Sequence, residues 1–287
     1  MQLAREEYIE QAHFFKVLAE RGQQNRATQD ALLSLRDELL STTKLPMAID
    51  FLVSELNLRG VFSSAMARLQ HYFTPFQTYV ISEAEREQGR FDFNQALEIL
   101  RKEAEYRSGD PTRAAVFLYQ FEAICRNRLG YDQGLVAIAG DPIFDEPWSQ
   151  WVMSLRSRIG MIDIADLIYV RSAYYWEQQA RRGLPAEPTV PVLFGVGEGK
   201  IAMSNRHKDP LYLFSALERQ LGYPTVPRPA LQTDPSVTLV QVSRKLDRLE
   251  QRLKLVEEEQ RGGIDLTKFY VKGSEDLVPP TEPDEPA

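Results

Sequence analysis

The chain has 287 residues, 43% of them hydrophobic, with 34 basic against 41 acidic side chains, a net charge of −7 and an isoelectric point near 5.2. A chain of this size buries about 75% of the surface its unfolded form exposes, so one substantial core with an appendage is expected. The acidic balance argues against nucleic acid or an anionic membrane as the principal partner; five acids and no base fall in residues 273–287, which leaves the rest nearly neutral.

Cys125 is the single cysteine, which removes an intrachain disulfide and points away from an oxidising compartment. The opening MQLAREEYIEQAHFF lacks the pattern of a signal peptide, and no run of roughly 18 apolar residues is present. A soluble, cytoplasmic chain without a membrane segment is the expectation.

Residues 1–183 read as an all-helical domain, an irregular bundle. A first helix is predicted over 2–21, with Leu3, Tyr8, Ala12, Phe15 and Leu18 near helical spacing, and a second over 28–40. Leu45, Ala48, Ile49, Leu52, Val53 and Leu56 form an amphipathic stripe, opened by Pro46 and closed at Gly60. Thr74-Pro75, Asp110-Pro111 and Asp209-Pro210 pair a capping oxygen with a proline whose missing N–H costs nothing at a first turn. Asp92 is a further cap, and Gly89, Gly109, Gly130, Gly160 and Gly183 are the matching stops. Residues 114–125 and 165–176 are apolar nearly all round, which predicts two central helices.

Residues 184–222 are expected to form a small α/β extension. VPVLF and KIAMS read as a β-hairpin across GVGEG, whose glycines would supply positive φ, and LYLFSALERQL reads as a helix. A proline-rich linker, 223–234, leads to a coiled-coil helix over 235–263, and an extended acidic tail over 264–287 has the composition of disorder.

No catalytic motif stands out. Glu10 and His13 make one Glu-x-x-His unit, which resembles half of a ligand unit of the ferritin-like di-iron bundles. That pattern implies a second unit and two more glutamates; with only His71 and His207 elsewhere, no metal is expected and the pair reads as a surface or groove pair. The glycines before Lys200 fail both the phosphate-loop and the dinucleotide spacing. Glu122, in apolar surroundings, is a candidate acid–base group, yet Arg126 follows four residues on, in ion-pair register. Asp166 is a similar candidate, with Arg171 or another helix as its expected partner. Cys125 reads as a core residue. Trp148, Trp151, Tyr174, Tyr175 and Trp176 form an aromatic zone, read first as core and second as a binding face.

The strongest pattern is Leu239, Val242, Leu246, Leu249, Leu253 and Val256, a 3-4-3-4-3 heptad seam. Lys245 and Arg252 flank one side, Glu250 and Glu257 the other, so opposite charges meet only between parallel helices. The sequence therefore favours a non-enzymatic, self-associating helical adaptor without a cofactor, a homo-oligomer through this seam. The competing expectation is an enzyme or small-molecule binder with a pocket among the central helices, using Glu122 and Asp166.

Overall fold

The computed structural model describes residues 2–23, 28–86, 91–184 and 188–228. Among them the chain forms thirteen helices: α1 (Arg5–Gln23), α2 (Thr28–Arg36), α3 (Leu45–Arg59), α4 (Phe62–Arg68), α5 (Pro75–Ala84), α6 (Phe93–Arg107), α7 (Arg113–Asn127), α8 (Tyr131–Ala139), α9 (Glu146–Leu155), α10 (Ile164–Val170), α11 (Ala173–Arg181), α12 (Val196–Ser204) and α13 (Pro210–Leu221). None of them is long and apolar enough to cross a membrane. The seam residues Leu239 to Val256, and the 235–263 helix that would carry them, lie outside the described residues.

Local signals set many of the helix ends. Thr74 and Gln77 form a reciprocal capping box at α5, Asp92 accepts the Gln95 amide at α6, and Asp209 accepts the Leu211 amide at α13. Gly60 and Gly222 close α3 and α13 in the left-handed conformation. Several expected boundaries move: α2 ends at Arg36, not at residue 40, and α9 ends at Leu155, ahead of Gly160. Thr112, not Asp110, caps α7 through the Ala115 amide. Gly130 opens α8, while Arg128 at φ 54° closes α7.

Helix α7 is the axis of the body. From Ala114 to Ile124 every residue is buried, so the all-round apolar pattern correctly marks a central helix. The Tyr119 hydroxyl donates to the Ile99 carbonyl of α6 at 2.7 Å, and Phe117 packs against Trp151 with ring centroids 4.8 Å apart. On the other side, α1 lies along α6 and is joined to α5 by a buried amide chain. In that chain Gln77 Nε2 donates to Gln11 Oε1 at 3.1 Å and Gln11 Nε2 to the Tyr72 carbonyl at 3.2 Å.

The expected β-hairpin of residues 190–204 is not formed; among the described residues there is no strand, only two isolated bridges. KIAMS belongs to helix α12, and VPVLF runs as an extended segment that bonds to the main chain beside Ser172. The second all-round apolar stretch, 165–176, is correspondingly not one helix. It breaks into α10 and α11, because Leu193 and Phe194 donate to the Arg171 carbonyl at 2.8 and 3.1 Å and Ala173 donates to the Phe194 carbonyl at 2.9 Å. Those bonds take groups that an unbroken helix would pair internally, and Ser172 then caps α11 through the Tyr175 amide. Phe194, Ala202, Leu213, Phe214, Leu217, Tyr223 and Val226 belong to the same buried core as α7.

The glycines of GVGEG do not turn the chain, since none has positive φ, and Gly199 alone serves close approach to neighbouring Cβ atoms. Gly195 has φ −74°, and Gly199 sits inside α12 against Ser172. A Cβ at position 199 would overlap Ser172 Oγ and come within 2.6 Å of Ser172 Cβ and 2.7 Å of Tyr174 Cβ. At Gly197 the nearest atom is the flexible amide end of Gln220, 3.0 Å away. Gly199→Ala should therefore lose about 1–3 kcal/mol in urea unfolding despite alanine's better helix propensity, whereas Gly197→Ala should be neutral or gain up to about 1 kcal/mol. Equal effects of the two substitutions would contradict the close approach of α12 to Ser172.

Candidate functional site

The two carboxylates singled out by the sequence are both engaged, and by different partners. Glu122 is fully buried on α7; Arg126 pairs with its Oε1, and the Tyr223 hydroxyl donates to its Oε2 at 2.9 Å. Arg126, in the expected register, is thus joined by a partner from 101 residues away that no local spacing reveals. Burial, opposed by Arg126 and Tyr223, pushes the Glu122 carboxyl above its ordinary range. Asp166 pairs with Arg206, not Arg171.

Asp166 belongs to a corner with Asp163 and His207, three groups placed closely enough to ligate one cation. The carboxylates already have other work. Asp163 caps α10 at the Ala165 amide (3.0 Å) and accepts the His207 amide (2.7 Å), while the Arg206 guanidinium supplies the positive charge at Asp166. Glu10 and Glu7 also serve main-chain donors: Glu10 accepts the Leu40 amide at 3.1 Å and Glu7 the Lys44 amide at 2.9 Å. His13, on the same helix as Glu10, is exposed. Burial pushes the Cys125 thiol up to about 11, which suppresses the thiolate a nucleophile needs.

The aromatic zone divides. Trp148 and Trp151 are buried against Phe117 and Phe194. Tyr174, Tyr175 and Trp176 are half-buried on α11, a helix with no fully buried residue. Lys200 lies 5.7 Å from the Tyr174 ring and Arg206 lies 5.6 Å from that of Tyr169, giving this outer face both aromatic and cationic character.

The densest polar chemistry was missed by the sequence reading. Arg107, the last residue of α6 and 4% exposed, pairs with Glu103 one turn earlier and with Asp141 between α8 and α9. Gln120 of α7 donates to Glu103 at 2.7 Å and Asp141 at 3.0 Å. The i,i+4 spacing of Glu103 and Arg107 was visible, but it is equally the signature of an exposed pair; Asp141 comes from 34 residues away. Arg107 also lines a cleft of about 190 Å³, together with Arg5 and Tyr8 of α1.

One guanidinium serves two carboxylates here. Burial, opposed by Arg107 and reinforced by the Asp141 charge, pushes Glu103 above its ordinary 4.5, so it holds a proton more tightly folded than unfolded. Such a group's stabilising contribution is complete below the unfolded value and disappears as pH rises through the folded one. Unfolding free energy should consequently increase as pH falls from 8 toward 5, and the increase should shrink in Glu103→Gln, which cannot titrate. Denaturant melts across that range check the sign; an unchanged slope in the variant would contradict it.

No family model, curated protein or solved structure matches the chain.

Proposed function

We propose that the protein is a non-enzymatic, self-associating helical adaptor. The observation that carries this reading is the uninterrupted seam Leu239, Val242, Leu246, Leu249, Leu253, Val256, whose flanking charges match only between parallel copies. A single helix cannot bury such a stripe. The outer face of α11, with Tyr174, Tyr175 and Trp176 half-buried beside Lys200, supports a binding role for the body, since aromatic residues concentrate in interfaces. Joining several such faces through one coiled coil raises effective concentration at a multivalent partner. The engagement of Glu122 by Arg126 and Tyr223, and of Asp166 by Arg206, favours this reading over an acid–base pocket built on those two carboxylates. A cytoplasmic setting is proposed with it and rests on the single cysteine.

Light scattering of the full chain tests the proposal. The unmodified protein should have the mass of an oligomer, and Leu246→Asp with Leu253→Asp should reduce it to the 32.9 kDa of one chain while most helical circular dichroism is retained. A monomer at micromolar concentration before substitution would overturn it.

A further inference from the structure

The cleft lined by Arg107 has a donor set that the ion cluster does not use. Of the five guanidinium N–H groups, four are spent on Glu103 and Asp141: Nε and one Nη2 proton on Glu103, the second Nη2 proton and one Nη1 proton on Asp141. One Nη1 proton is left on a residue that lines the cleft. Tyr8, 7% exposed, lines the same cleft as Arg107. The exposed Arg5 stands one helical turn before Tyr8 and lines the same cleft. No acidic residue is among the lining groups, and Leu3, Pro111 and Ile143 supply an apolar wall.

We propose that this cleft binds a small organic monoanion, a carboxylate with a short apolar tail, held by the guanidiniums of Arg107 and Arg5 and the hydroxyl of Tyr8, its tail against Leu3, Pro111 and Ile143. The volume of about 190 Å³ equals roughly six waters at about 30 Å³ each, which sizes the ligand at about six non-hydrogen atoms. The charge balance agrees. Arg5 puts a cation on the wall of the cleft, and no carboxylate lines it. Two arginines on the wall of one small cleft suit a carboxylate, whose two oxygens accept separate N–H groups. The site is distinct from the α11 face and from the heptad seam, so it does not depend on the adaptor reading.

Butyrate, with six non-hydrogen atoms, is the probe. Titration into the full chain at constant ionic strength, followed by calorimetry or amide chemical shifts, should give saturable 1:1 binding in the millimolar range. The neutral isostere butyramide and tail-less inorganic phosphate should each bind at least about tenfold more weakly. Arg5→Ala and Tyr8→Phe leave the ion cluster intact and should keep the thermal midpoint, while weakening butyrate by about tenfold and about fivefold. Absence of saturable butyrate binding, equal binding of butyramide or phosphate, or unchanged affinity in both folded variants would overturn the proposal.

Discussion

The body depends on one buried cation. Arg107 is the place where the end of α6, the middle of α7 and the turn between α8 and α9 are tied, and its side chain is only 2% exposed. Asp141 does more than neutralise it: its Oδ1 accepts the Ile143 amide at 3.1 Å and its carbonyl accepts the Phe144 amide at 3.1 Å, so the turn that carries it is folded around the same residue. A lysine would not reproduce the arrangement, because the planar fork reaches two carboxylates at once where an ammonium acts as a single point. Charges so placed do not owe their value to net attraction, since desolvation offsets much of it. What they impose is mutual dependence: with Arg107 gone, both carboxylates are buried without their cation.

The other organising contact is purely steric. Where α12 meets the break between α10 and α11, Gly199 lies against Ser172, and the extended 191–194 segment is bonded to both sides of the break. The result is an outer layer, α10 to α12, that bends around Phe194 instead of running straight past it. That bend sets Tyr174 of α11 beside Lys200, so a backbone constraint in the interior determines the character of the candidate binding face.

Most of what was legible in the sequence was local. The stripe from Leu45 to Leu56, the caps at Thr74, Asp92 and Asp209, and the all-apolar run of α7 depend on neighbours within a few residues, and they stand where the pattern puts them. The failures share a different cause. Residues 165–176 carry a good helical pattern, and only bonds from Leu193 and Phe194 break it. Glycine is one letter with two uses, positive φ or absent Cβ, and GVGEG was read for the first when Gly199 serves the second. Of the candidate site, Glu103 and Arg107 were visible only as an ordinary i,i+4 pair. Tyr8 was legible only as part of the helical spacing of α1 and Arg5 not at all; the packing of α1 along α6 is what places them at the cleft.

Arg107, Glu103, Asp141 and Gln120 act as one unit, and a stability comparison of two variants tests this. Arg107→Met alone leaves two buried carboxylates without their cation and should cost about 3–5 kcal/mol in urea unfolding near neutral pH. Adding Glu103→Gln and Asp141→Asn removes those charges and should recover more than half of the loss, a non-additivity characteristic of a shared network. A loss below about 1 kcal/mol for Arg107→Met, or triple-variant losses that simply add, would contradict the account.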